Sequence, residues 1–229
     1  MRTAVIVSFD LIRPGEPATS LALGSLLAAL AHEVATGAEL DVHHVSVNLL
    51  DMQGEAAVEK AEAAVLGLGL SARDAVAVSG YVWSEPLTTR LIERLRAGGF
   101  GGTIILGGYQ VSYAREEELP ALYPGVDLFI SGYAEKALCA ALTKLERPSQ
   151  PRVLAEQVDF TALPSPYLGN AITVEEGQGM VRLESKRGCP FRCAFCAHRD
   201  LRGNRVHARA ADRVRLELDF LAAQRVGKI

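Results

Sequence analysis

Five short runs rich in β-branched residues recur along the first two-thirds of the chain, and they constrain its fold more than any other feature. They are Ala4 to Ser8, Leu40 to Val47, Ala75 to Ser79, Thr103 to Leu106 and Asp127 to Ser131. Runs this short and this continuously apolar suit strands buried on both faces of a parallel sheet. Between them the apolar residues change to helical spacing, as at Leu23, Leu27, Leu30 and Val34, then Val58, Ala61 and Val65, then Leu87, Leu91 and Leu95. Alternating strands and helices predict an α/β fold with a doubly wound, five-stranded parallel sheet, because right-handed crossovers place helices on both faces.

The third helix has a readable start and stop. Ser84 stands at its N-cap position, Pro86 is tolerated in its first turn, and Gly98-Gly99 ends it. Strand order 2-1-3-4-5 follows by analogy with flavodoxin-like sheets. After Leu145, the prolines of Glu146-Arg147-Pro148-Ser149-Gln150-Pro151 and Leu163-Pro164-Ser165-Pro166 interrupt any helix or central strand. The sheet domain therefore covers 1–147, a linker 148–170, and a second domain begins in 171–229. There, Ala171 to Val174 and Met180 to Glu184 flank Gly177-Gln178-Gly179 and read as a hairpin. A last helix runs from about Ala210 to Arg225, with Val214, Leu218 and Leu221 on one face.

A length of 229 residues suits one domain and part of another. The net charge of -3 gives no overall attraction to nucleic acid or to an anionic membrane. Leu21 to Ala31, the longest nearly apolar stretch, falls short of the ~20 residues that span a bilayer. The opening apolar run Ala4 to Val7 is too short for a secretory signal core, so a cytoplasmic location is expected. Three of the four cysteines crowd into one segment, a pattern of metal binding in a reducing compartment rather than of disulfides. The fourth, Cys139, lies among Leu138 and Leu142 on a helical face and reads as a buried, inert thiol.

The crowded segment is Gly188-Cys189-Pro190-Phe191-Arg192-Cys193-Ala194-Phe195-Cys196, with the spacing C-x3-C-x2-C. Glycine and proline at its start favour a tight, non-helical path on which three thiolates converge. Soft sulfur ligands select an iron–sulfur cluster or zinc, the latter with His198 or His207 as a fourth ligand. Arg187, Arg192, Arg199, Arg202 and Arg205 make the surroundings locally basic.

C-x3-C-x-aromatic-C, with Phe195 at the aromatic position, resembles the cluster motif of the radical S-adenosylmethionine enzymes. The resemblance implies a [4Fe–4S] cluster held by Cys189, Cys193 and Cys196, with S-adenosylmethionine bound to its open iron and the backbone near Phe195 against the adenine. It also implies that 171–229 is the first βα unit of an incomplete (β/α) barrel, and that electrons come from a reductant protein such as a flavodoxin or ferredoxin.

In an open parallel sheet, ligands bind at the carboxyl ends of the strands. The loops expected there are Phe9 to Pro17, Ser79-Gly80-Tyr81-Val82-Trp83-Ser84, Gly107-Gly108-Tyr109-Gln110 and Ser131-Gly132-Tyr133-Ala134-Glu135. Glycine combined with an aromatic and a hydroxyl or amide group meets a large flat ligand with polar edges. These loops resemble the cobalamin-binding domain that precedes the radical module in one large subclass of the same family, and Leu163-Pro164-Ser165-Pro166-Tyr167 resembles its linker. By that resemblance, Ser79, Gly80, Tyr81, Trp83, Ser84, Gly107, Gly108, Tyr109, Gln110, Gly132, Tyr133 and Glu135 line a corrinoid pocket. Ala134 stands where that subclass usually has glycine. Asp41-Val42-His43-His44 reads as strand sequence and not as a cobalt-ligating motif.

The resemblance implies a cobalamin-dependent radical enzyme of the methyltransferase type, with a small-molecule or peptide substrate that the sequence does not identify. A barrel cannot close from one strand and one helix. The chain is therefore expected to be a fragment or half of a split enzyme, without turnover alone and with an apolar face on its last helix open to a second chain. Two other readings stand beside it: a corrinoid-binding module without catalysis, and a zinc-stabilised interaction protein.

Overall fold

The β-branched runs form the strands they predict. In the computed structural model, which describes residues 1–144, 146–156, 160–191, 193–196 and 205–229, β1 (Arg2–Asp10), α1 (Leu21–Ala35), β2 (Leu40–Asn48), α2 (Gly54–Leu66), β3 (Ala75–Ser79) and α3 (Glu85–Ala97) follow in turn. Next come β4 (Thr103–Gly107), the short helices α4 (Tyr109–Tyr113) and α5 (Leu119–Leu122), β5 (Leu128–Gly132), α6 (Glu135–Thr143) and β6 (Arg152–Glu156). The chain divides into two compact units, Met1–Arg13 with Ala29–Gln157, and Pro14–Ala28 with Val158–Ile229.

The first unit is built on a sheet of order β2-β1-β3-β4-β5-β6, every pairing parallel. Five of its strands keep the expected order, but the sheet has six, because Arg152–Glu156 pairs with β5 inside the stretch read as linker. Two charged ends and a flanking Pro151 suit this strand to an edge. Val5, Val7 and Phe9 of β1 join Val76, Val78, Ile104, Leu106 and Phe129 in one apolar cluster with Val58, Ala61 and Val65 of α2 and Leu91 and Leu95 of α3. The alternate residues Ala4, Ile6, Ala77, Ile105 and Ile130 are buried too, which is why these strands read as continuous apolar runs.

Helix α3 begins and ends as read, with Pro86 in its first turn and the Gly98 and Phe100 amides closing back on Arg94 and Leu95. Ser84, however, makes no side-chain cap. Its hydroxyl accepts instead from the Tyr81 amide at 3.1 Å and folds the preceding loop.

In the second unit, β7 (Lys186–Gly188) and β8 (Val206–Ala208) form an antiparallel pair, followed by α7 (Ala211–Ala223). The described residues thus form no parallel βα barrel unit. Nor does the expected hairpin around Gly177-Gln178-Gly179 form, because its backbone groups find partners elsewhere. Met180 donates to the Gly15 carbonyl, Val181 to Lys228, Gly177 to Gln224 and Ile172 to Pro166. The unit packs Tyr167, Ile172, Val181 and Leu221 together with Leu21, Val174, Leu183, Phe220 and Val226. On α7 the inward line runs through Glu217 and Leu221, so the face read as Val214, Leu218 and Leu221 is divided, with Leu221 buried and Leu218 exposed. Among the described residues no helix is long and apolar enough to cross a membrane.

Candidate functional site

Because every pairing within the six-stranded sheet is parallel, the loops leaving β1, β3, β4 and β5 open at one edge. The chain passes from β1 to β2 on one side and to β3 on the other, so strand order reverses between β1 and β3. Trp83 bridges that point. Its indole N–H donates to the Phe9 carbonyl at 3.2 Å, and its ring stacks on Tyr81 with centroids 4.7 Å apart and planes 1° from parallel. Asp10, at the end of β1, accepts from the Ser8 hydroxyl at 2.6 Å and the Ser46 hydroxyl at 3.2 Å.

The β3 and β4 loops are joined through backbone. The Gly80 amide donates to the Gly107 carbonyl at 2.8 Å, and Gln110 donates back to Gly80 at 3.1 Å. Gly108 has φ +103°, and a Cβ on it would lie 2.7 Å from the Gly80 oxygen. Glycine at 108 is therefore required by contact between loops before any ligand is considered, whereas a Cβ on Gly107 would meet only ordinary contacts at 3.6 Å. Ser112, in α4, ties in the β5 loop, since its hydroxyl donates to the Gly108 carbonyl at 2.8 Å and accepts from the Gly132 amide at 2.9 Å.

Around this frame, Tyr109 is exposed and its ring lies 4.6 Å from that of Tyr113. The Gln110 amide nitrogen donates to the Glu85 carboxylate, which also accepts from the Tyr123 hydroxyl. Gln110 thus has its nitrogen committed and its amide oxygen left as an acceptor. Glu135 is buried in the first turn of α6, where the helix N-terminus favours its negative charge. Burial pushes the Tyr81 phenol pKa up, reinforced by Asp10, Glu135 and Tyr109. The Ser79 carbonyl accepts from Thr88, Tyr133 is half-buried, and Ser84 is wholly buried. The edge therefore combines an aromatic platform with carboxylate and amide acceptors, suited to a flat ligand fringed with N–H donors.

His43 pairs with Asp41 at 2.9 Å within β2, as strand sequence should. Cys139 is buried on α6.

The cysteine loop leaves β7 through Gly188, whose φ is +93°. Cys189, Cys193 and Cys196 are free thiols, Cys193 exposed and the other two partly so. The Cys196 amide donates to the Cys193 carbonyl at 3.0 Å, placing the last two on one turn. In donor type, number and absence of disulfides they fit a soft metal centre. Among the described residues, no three His, Cys, Asp or Glu side chains are gathered in metal-holding positions. Phe195 is 92% exposed. His207 lies exposed in β8 opposite Arg187, while Arg192, His198, Arg199 and Arg202 lie outside the described residues.

Sequence reasoning singled out neither Asp10, Ser112 nor Glu85. Asp10 carried a signal, a carboxylate closing an apolar run, whereas Ser112 and Glu85 look like ordinary helix residues.

No family model matches the chain. The chain is distantly similar to 2-(S-pantetheinyl)-carbapenam-3-carboxylate methyltransferase of Streptantibioticus cattleyicolor, at 23% identity over 190 residues. The match takes in 69% of this chain and 27% of that protein, so the chain spans about a quarter of its relative's length.

Proposed function

We propose that the chain serves methyl transfer as a cobalamin-dependent radical S-adenosylmethionine protein. The observation that carries this reading is the set of three free thiols at C-x3-C-x2-C spacing on the loop leaving β7. Distant similarity to a methyltransferase supports the methyl-transfer half. In this reading Cys189, Cys193 and Cys196 hold a [4Fe–4S] cluster, and Phe195 with its backbone meets S-adenosylmethionine. The sheet edge holds the corrinoid: Tyr81 and Trp83 offer an apolar face, Asp10, Gln110 and Glu135 accept from amide donors on its fringe, and Gly80, Gly107, Gly108 and Gly132 shape the loops. When bound, these groups supply electron transfer to a sulfonium and methyl transfer at cobalt; the protein supplies orientation and exclusion of side reactions. A flavodoxin- or ferredoxin-like reductant would feed the cluster.

Anaerobic reconstitution with ferrous iron and sulfide tests the cluster. The expected result is a three-thiolate cluster spectrum that Cys193→Ala abolishes. An unchanged spectrum in that variant, or zinc without iron in protein purified without oxygen, overturns the ligand assignment. Failure to retain hydroxocobalamin on gel filtration, with the cluster intact, removes the corrinoid half alone.

A further inference from the structure

The stem of the cysteine loop is a ladder of three residue pairs, Lys186 to Ala208, Arg187 to His207 and Gly188 to Val206. Two strands of this length are not stable by themselves in water. Apolar packing within the ladder does not hold it either, because the single buried side chain of both strands is that of Arg187. What Arg187 packs on is Phe160, which is fully buried in the 3-10 turn Phe160–Ala162. The Arg187 guanidinium lies 4.7 Å from the ring centroid, and that of Arg209, just beyond β8, lies 4.4 Å from the same centroid.

Each arginine is fastened as well as stacked. Arg187 Nε donates to Glu184 at 2.9 Å. Arg209 donates to the Glu184 carbonyl at 3.3 Å and to the Leu163 carbonyl at 3.1 Å, while its backbone amide donates to Ser185 at 2.9 Å. One ring and one carbonyl of the Phe160–Leu163 segment therefore hold both strands of the stem. Contacts between apolar side chains slide past one another; a planar guanidinium over a ring, tethered by a directional N–H···O bond, does not.

We propose that Phe160, Arg187 and Arg209 form a clamp that sets the stem of the cysteine loop, making Phe160 and Arg187 positioning residues for the centre held by Cys189, Cys193 and Cys196. The second half of the proposal rests on the metal-binding reading of those thiols.

Two measurements on the full chain separate the parts. Phe160→Leu keeps apolar volume and removes the ring, and Phe160→Trp restores a ring. In Phe160→Leu, amide hydrogen exchange at Lys186–Gly188 and Val206–Ala208 is expected to quicken about tenfold, the order a desolvated cation–π contact supplies, and Phe160→Trp to return towards wild type. Exchange unchanged in Phe160→Leu overturns the clamp. Anaerobic titration of the apoprotein with Co(II), followed through its thiolate charge-transfer absorption, should show a similar loss of affinity in Phe160→Leu and recovery in Phe160→Trp. Faster exchange with undiminished Co(II) affinity overturns the positioning role. A wild-type chain that gives no thiolate band overturns both that role and the ligand assignment, while the exchange result still decides the clamp. If Phe160→Leu does not fold, Arg209→Met removes one cation and leaves the ring, and the same two readouts apply to it.

Discussion

Gly188 turns directly beneath the backbone carbonyl of Arg205, so that a Cβ at position 188 would collide with that oxygen. The residue also sits at φ +93°, where side chains are strained whatever the space around them. Gly188→Ala should therefore cost about 1–3 kcal/mol in backbone strain and push the two strands of the stem apart. The expected result is loss of most reconstituted iron and sulfide with retention of corrinoid, since the sheet unit is untouched. Wild-type iron content in this variant would show that the stem geometry does not govern the cysteines.

Gly108 is held to Gly80 in a comparable way, with a hypothetical Cβ 2.7 Å from the Gly80 oxygen. Gly108→Ala is expected to separate the loops after β3 and β4 and to weaken hydroxocobalamin binding by about tenfold, from a strain cost of the same order. Equilibrium dialysis measures this, with Gly37→Ala as a control for left-handed glycine in open space. Equal affinities for the two variants would separate the loop junction from the ligand.

The parts of this fold that were legible in the sequence are those whose burial is two-sided and local. The runs at β1, β3, β4 and β5 had to be central strands because no polar residue interrupts them, whereas their order comes from analogy with flavodoxin-like sheets, since the crossover rule fixes handedness and not order. Arg152–Glu156 is not legible as a strand, because an edge strand carries charges and stands among prolines, which is also how a linker reads. The segment around Gly177 carried a hairpin's composition, yet its hydrogen bonds run to Gly15, Gln224 and Lys228, partners no local pattern reveals. The cysteine spacing was legible residue by residue. Its support was not, because a phenylalanine and two arginines far apart in the chain have no periodicity to connect them.

Trp83 is the single tryptophan of the chain, and it stands partly exposed at the reversal of strand order. A corrinoid bound at this edge should quench its fluorescence in a saturable way. Trp83→Phe preserves a ring to stack on Tyr81 but removes the donation to Phe9, which is worth about 0.5–1.5 kcal/mol. The expected consequence is a modest fall in both unfolding free energy and corrinoid affinity. Binding that leaves the wild-type emission unchanged would place the ligand away from this edge.

Alkaline pH offers a test of the second unit that needs no ligand. Tyr167 is buried in its apolar cluster and donates to the Arg182 carbonyl, and burial followed by the nearby Glu217 charge raises its pKa from 10.0 to about 12. A phenol whose folded pKa lies above its unfolded value contributes stability that is complete below about pH 10, where both states are protonated. As pH rises the unfolded chain releases the proton first, so stability declines through the interval between pH 10 and about 12. The loss should be on the order of 2–3 kcal/mol across that window. Tyr167→Phe has no such proton to release and is expected to show a flatter profile there, although it is less stable at neutral pH because the Arg182 carbonyl loses its donor. Urea unfolding at pH 8 and pH 11, followed by far-UV circular dichroism, compares the two slopes; parallel profiles would mean that another group governs the alkaline transition.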